Sequence, residues 1–288
     1  MLRIDRILFP VDFSDRCTAA APHVAAMAAH FHAKVTVLHV LTVPTLWYGE
    51  VPAAELETLV NSDQLVQALR VKLTNYLRDE LQSVESLERV LETGDPAGVI
   101  ADYARQNGVN LIMAPTHGYG PFRRLLLGSV AAKVLHDAEC PVWTDVHAEA
   151  SLEPRACRSV ICAVDLREES VAPIRWAADF AESHGAELTL IHAIPALSGP
   201  VPRGEARFRN HLAEHAHEYM ADLQRQAGTS ARISIGGGRI AETVRDAAVQ
   251  QEADIVVIGQ GCLHETLGRL RSNAYAIIRQ SPCPVVRV

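Results

Sequence analysis

The chain is written twice. "RILFPVDFSD" at 6–15 aligns with "SVICAVDLRE" at 159–168, which sets Asp12 against Asp165. "AKVTVLHVLTVP" at 33–44 aligns with "AELTLIHAIPAL" at 186–197, which sets His39 against His192. Both pairs lie 153 positions apart, so no insertion separates them. Further on, "GVNLIMAP" matches "EADIVVIG" and "ECPVWTDV" matches "PCPVVRV", at a smaller offset because the second copy has shorter connections. An internal repeat of this size is a folding unit used twice. A chain of 288 residues suits two domains of about 100–150 residues each. The polar, small-residue stretch "HAEASLEPRA" reads as the linker. Two homologous domains are expected, over 1–147 and 157–288.

Each copy alternates strand and helix. In the first, "RILFPV", "KVTVLHVL", "SLERVLE", "NLIMAP" and "CPVWTDV" read as five strands. Between them, "SDRCTAAAPHVAAMAAHF", with Ser14 as its N-cap, the stretch from 53 to 81, "PAGVIADYARQNG" and "SVAAKVLHDA" read as helices. The strands are apolar runs rather than alternations, which predicts burial on both faces. The fold class is therefore α/β: two tandem Rossmann-like domains, each a five-stranded parallel sheet with helices on both faces. In such open sheets ligands sit beyond the C-terminal strand ends, where strand order reverses. The turn after the first strand, holding Asp12, and the loop "PTHGYGPFRRLLLGS" (115–129) after the fourth fall at that edge.

Composition excludes several classes. A net charge of −7 argues against a nucleic-acid binder that works through a global basic field. No apolar run approaches the roughly 18–20 residues a bilayer span needs. "MLRIDRILFPVDFSD" carries charges within its apolar stretch and has no small-residue cleavage site, so it does not read as a signal peptide. The six cysteines are scattered without CxxC spacing, as in a reducing cytoplasm.

Within the loop, Gly118 and Gly120 permit close backbone approach. Gly128-Ser129 at a helix start offers unpaired N–H groups and the positive dipole end, which suit an anion. Arg123 and Arg124 lie between and can reach a phosphate. No Walker A spacing is present, and no GxGxxG follows the first strand. From composition alone, a phosphate cradle and a plain surface loop with a capped helix stand level.

These residues, taken together, resemble the universal stress protein family, and the likeness extends over both halves. In that family a five-stranded parallel sheet binds ATP through G-x2-G-x9-G-[S/T] after strand four. Here Gly118, nine intervening residues and Gly128-Ser129 reproduce the second and third parts, followed by Val130, while the first Gly falls on Pro115. Proline removes one N–H and stiffens the turn. "ILFPVDFS" is similar to the family's first strand, which implies that Asp12 sits against adenine or ribose and that Pro10 and Val11 line the base. "LHV" is similar to its second-strand segment, which implies an adenine contact through the backbone of Val40. His117, inside the loop, is either a nucleotide contact or a turn residue. A triphosphate would bring Mg²⁺; no ligand cluster of the chain's own calls for a metal.

The second copy departs from this pattern. Gly259 matches the first Gly, but Cys262 replaces the second, and Arg271 stands where Gly128 does, beside Ser272. A side chain at a close-approach glycine crowds a phosphate, so the second domain is expected to scaffold. His39 and His192 recur at the same strand edge and read as packing or hydrogen-bonding residues. His211 and His215 share a helix face as zinc-binding pairs do, yet a solvated helix explains them as well, and His217 follows on the same helix.

No nucleophile–base–acid set assembles, and neither HExxH nor GxSxG occurs. The only activity to entertain is slow ATP hydrolysis, with Asp12 near the phosphates or else bonded structurally to backbone N–H groups. The expectation is a cytoplasmic stress-response protein that binds ATP or a related adenine nucleotide in its first domain and acts as sensor or adaptor. It would bind no nucleic acid and no membrane. The resemblance further implies pairing of the two domains through their last strands, and a homodimer. The rivals are an adaptor of the same family that has lost its nucleotide and, less favoured, a nucleotide-processing enzyme on this fold.

Overall fold

The structure is a computed structural model that describes residues 2–42, 63–115, 127–145, 156–194, 205–260 and 271–288. The chain divides into two compact units, one built mainly on Arg3–Val142, the other mainly on Arg155–Val288 together with Trp143–His147. In the first half the strands are β1 (Arg6–Pro10), β2 (Lys34–Leu41), β3 (Leu87–Thr93), β4 (Leu111–Pro115) and β5 (Val142–Asp145). The helices are α1 (Asp15–Phe31), α2 (Asp63–Asn75), α3 (Pro96–Gln106) and α4 (Ser129–Asp137). The strand order is β3-β2-β1-β4-β5. β2 and β4 both run parallel to β1, and β3 runs parallel to β2. Order thus reverses between β1 and β4, and the switch-point crevice expected of an open α/β sheet opens there.

The central strands are apolar on both faces. Ile7, Leu8 and Phe9 of β1 and Leu111, Ile112 and Met113 of β4 are each almost fully buried, as strands covered by helices on two sides must be. β3, at the edge, is half-buried and carries the exposed Glu88, which pairs with Lys34 at 2.6 Å. Charge on an edge strand discourages further pairing.

The second half repeats the plan with β6 (Ser159–Ala163), β7 (Glu187–Ile194), β8 (Arg232–Gly237), β9 (Ile255–Ile258) and β10 (Val285–Arg287). A short 3₁₀ turn over Glu168–Ser170 leads into α5 (Val171–His184), followed by α6 (Glu205–Ala227), α7 (Ile240–Gln250) and α8 (Arg271–Gln280). Its order, β8-β7-β6-β9-β10, matches the first half, and every pair is parallel.

The repeat reaches the fine detail. Asn110 Oδ1 accepts the N–H groups of Asp5 and Arg6, both at 2.9 Å, where β1 begins. Asp254 Oδ2 accepts those of Arg158 and Ser159, at 2.6 and 3.0 Å, where β6 begins. One carboxamide and one carboxylate do the same work. Helix ends correspond too: α1 stops on His32 at φ 52° and α5 on Gly185 at φ 63°, both left-handed C-caps.

The elements follow the sequence expectation with small changes at the ends. Ser14 precedes α1 as expected, but its hydroxyl makes no cap bond and instead faces Cys17 Sγ at 3.6 Å. The long helix read over 53–81 is helical from Asp63 to Asn75 and continues as turns to residue 83; residues 53–62 lie outside the described set. Among the described residues no helix is long and apolar enough to cross a membrane.

Candidate functional site

β1 delivers its last residues to the switch point. Pro10 closes the strand; Val11, 6% exposed, donates its N–H to the Leu38 carbonyl at 2.8 Å. The chain then turns sharply, because Phe13 adopts φ 62°. A phenylalanine in the left-handed region costs about 1–2 kcal/mol. Leu166, its counterpart, adopts φ 58°. The turn therefore belongs to the repeated fold, and both halves carry its strain.

Asp12 holds this turn. Its Oδ1 accepts the Ser14 N–H at 3.0 Å and the Cys17 thiol at 3.2 Å. In the second half Asp165 Oδ1 accepts the Ser170 hydroxyl at 2.5 Å, and Arg167 lies 3.7 Å from Oδ2. Cys17 and Ser170 occupy corresponding positions, so thiol and hydroxyl substitute for each other. Burial, with the Asp12 charge beside it, pushes the Cys17 thiol up to about 12. It is a hydrogen-bond donor here and no nucleophile.

His39 and His192 also correspond, and each bonds the carbonyl that follows its half's first strand: Nδ1 lies 2.8 Å from the oxygen of Val11 and of Val164 respectively. A carbonyl only accepts, so Nδ1 carries the proton. Burial holds His39 below the ordinary imidazole range, against the Val11 bond, which favours the charged form; the positive charge of Lys72 lowers it further. The hydrogen-bonding role read from the sequence for these two histidines is the one the structure has.

Around the turn the first half builds an aromatic group that the linear sequence did not disclose. The Phe13 ring lies 4.4 Å from His39 and 4.9 Å, edge-on, from Tyr76. Lys72 Nζ stands 4.1 Å above its centre. Tyr76 Oη donates to the Ser14 carbonyl at 3.0 Å. Lys72 and Tyr76 arrive from about sixty positions downstream, so no local pattern could have flagged them. The Cys17–Ser170 equivalence, by contrast, was available in the repeat alignment.

Of the other predicted site residues, Val40 sits in β2, 9% exposed, with its backbone in register with Glu92 of β3. Pro115 ends β4, on the other side of the switch point from Pro10. Gly128 is the N-cap of α4 with φ −60° and ψ 146°, and as a glycine it has no side chain to cap the helix. Ser129 and the exposed Val130 open its first turn. The structure thus brings Pro10, Val11, Asp12, Val40 and Pro115 to the C-terminal ends of β1, β2 and β4, with Gly128, Ser129 and Val130 at the helix that follows β4. His117, Gly118, Arg123 and Arg124 lie outside the described residues. In the second half α8 begins at Arg271, the counterpart of Gly128, one position earlier than α4 does; Cys262 is outside the described set. No group of three or more potential metal ligands occurs among the described residues.

Two doubly wound α/β halves, each ordered 3-2-1-4-5 with its first-strand turn and the end of its fourth strand at one edge, define the Rossmann-like class. The sequence pattern of the universal stress protein family matches residues 3–145 and again residues 157–288, and the chain belongs to that family. A universal stress protein of Methanocaldococcus jannaschii is 33% identical over 138 residues, covering 48% of this chain and 79% of its own length. The crystal structure of a universal stress protein from Archaeoglobus fulgidus superposes at a TM-score of 0.66, covering 99% of this chain and 96% of that one at 18% identity, a likeness of fold. A universal stress protein in complex with cAMP aligns over 46% of this chain and 98% of its own, at 20% identity and a TM-score of 0.37.

Proposed function

We propose that the first half binds ATP or a related adenine nucleotide at the switch point, and that the chain serves as a stress-response sensor or adaptor rather than an enzyme. The observation that carries this reading is the glycine N-cap of α4. Gly128 has no side chain with which to cap the first-turn N–H groups, and it lies at the strand edge where an open α/β sheet takes its ligand. Pro10 and Val11 offer an apolar wall for the base, and Val40 a backbone contact. His117, Gly118, Arg123 and Arg124 would complete the phosphate side from the loop. Mg²⁺ would come with the triphosphate. It would supply charge neutralisation, and the chain's own residues would do the rest by close backbone approach.

Asp12 sits against the adenine or ribose in this reading and forms the turn as well. Its bonds to Ser14 and Cys17 fall on Oδ1, and Asp165 accepts the Ser170 hydroxyl on Oδ1 in the half whose loop has lost two glycines. The second half is then a scaffold over 157–288, and 1–147 the binding domain. We place the protein in the cytoplasm, with the halves pairing through β5 and β10 and two chains forming a dimer.

Pro115 favours a second reading, a nucleotide-free adaptor, because proline supplies no N–H where the family pattern has glycine. Heat-denaturing freshly purified protein, identifying any released nucleotide, and titrating the emptied protein with Mg-ATP separates the two. One nucleotide per chain is expected. Gly128→Ala should abolish it while the fold persists, since φ −60° accommodates alanine without strain. Neither carried nucleotide nor binding at millimolar Mg-ATP would establish the adaptor; two per chain would overturn the scaffold role of the second half.

A further inference from the structure

α6 buries Ala216, Met220, Leu223 and Ala227 against the second half's sheet. Its opposite flank carries His211, His215 and Glu218, stacked by i, i+4, i+7 spacing. The two imidazoles meet edge to face, centroids 4.3 Å apart with planes at 84°. Their Nε2 atoms are 3.1 Å apart. Two imidazole nitrogens bound to one tetrahedral zinc ion at about 2.0–2.1 Å lie roughly 3.3–3.4 Å from each other. The pair therefore already stands within a few tenths of an ångström of a chelating separation.

A carboxylate also stands near the second ring nitrogen, at ion-pair rather than hydrogen-bond distance. His215 Nδ1 faces Glu218 Oε2 at 3.7 Å. A carboxylate on the far nitrogen is the usual orienting partner of a metal-bound histidine. With its proton on Nδ1, His215 turns the Nε2 lone pair towards His211. With that tautomer the His211 Nε2–H is the donor of the 3.1 Å contact in the metal-free chain. On chelation His211 carries its proton on Nδ1 instead, and both Nε2 lone pairs converge. The His215 and Glu218 side chains are 63% and 77% exposed, so a hydrated ion reaches them directly. Because no third ligand is grouped with them among the described residues, the remaining positions fall to water or an external donor.

We propose that His211 and His215 form a bidentate surface site for a transition-metal ion of the Zn²⁺ class, with Glu218 as a positioning residue. Imidazole pairs select Zn²⁺, Cu²⁺ or Ni²⁺ over the oxygen-seeking Mg²⁺. The site therefore differs in chemistry from any ion that accompanies a nucleotide, and it stands on α6 alone.

Calorimetric titration of the tag-free full chain with ZnCl₂ tests it. The expected result is a site whose affinity falls about tenfold or more in H211A and equally in H215A, because each removes the chelate. Excess Mg²⁺ does not compete. E218Q weakens it less, by several-fold at this exposed position, compared with about 10–100-fold for buried orienting partners. H217A, on a different flank of the helix, leaves it unchanged. All four side chains are exposed, and unchanged thermal midpoints in EDTA verify that the variants fold. Absence of Zn²⁺ binding in the wild type, binding that survives the H211A/H215A double substitution, or an equal loss in H217A overturns the proposal.

Discussion

Cys17 and Ser170 stand at the same place in the two repeats, and each donates to the carboxylate five positions earlier. The second half thus already contains the conservative substitution for the first. Cys17→Ser should leave stability within about 0.5 kcal/mol of the wild type, whereas Cys17→Ala removes a bond to a charged group and should cost about 1–3 kcal/mol. Urea denaturation measures both. The same burial governs reactivity. Cys17 and the fully buried Cys162 are each raised to about 12, so neither should be alkylated in the native protein at pH 8. Both should label once urea unfolds it, and peptide mass spectrometry reads the difference. Asp12 was legible both as a candidate site residue and as a turn-former, and the structure shows its turn-forming bonds. Its partners are Ser14 and Cys17, within one turn, and sequence alone could not choose between that local closure and a ligand.

Helix ends and strand–helix contacts set the next scale. His32 is exposed and holds φ 52° at the position where α5 uses Gly185. His32→Gly removes the β-carbon that makes this conformation costly and should stabilise the protein by about 0.5–1 kcal/mol, seen as a higher urea midpoint. Gly236 of β8 shows the reverse. A β-carbon there would meet Thr243 Cγ2 of α7 at 2.3 Å, so Gly236→Ala should destabilise by about 1–3 kcal/mol. Thr243→Ser deletes that methyl group and should recover part of the loss, and a double-mutant cycle would show the coupling. At α3, Asp95 caps the Gly98 N–H at 3.2 Å and pairs with Lys133 of α4 at 2.8 Å; its counterpart Arg239 offers α7 no such cap. The elements themselves were readable because apolar runs and caps are local properties. The identity of the residue facing Gly236 was not, since it depends on how α7 lies over β8.

For the whole molecule, three thiols act together. Cys17, Cys157 and Cys162 keep their protons to about 12, mainly through burial, while an unfolded chain releases them near 9. Above that pH the unfolded state binds fewer protons than the folded one. Stability is therefore complete below pH 9 and should decline as pH rises from 9 towards 12. Urea midpoints measured across that window should fall less in a Cys17→Ser variant than in the wild type. Nucleotide stoichiometry belongs to this scale too: the single site per chain proposed above rests on Gly118 and Gly128, which the second half replaces with Cys262 and Arg271.

The sequence by itself determined the duplication and the α/β alternation, and it pointed to the strand edge proposed as the site. An offset of 153 and buried-strand runs are written along the chain, and strand order then fixes which loops meet. Only the tertiary structure decided what those residues touch. Phe13 gathers His39, Tyr76 and Lys72 because β1, β2 and the end of α2 converge there. His211 and His215 close to 3.1 Å because one helix face holds both rings outward. Periodicity reports which face a side chain is on. Distances between side chains depend on packing of segments far apart in sequence, and that information is absent from any short stretch of the chain.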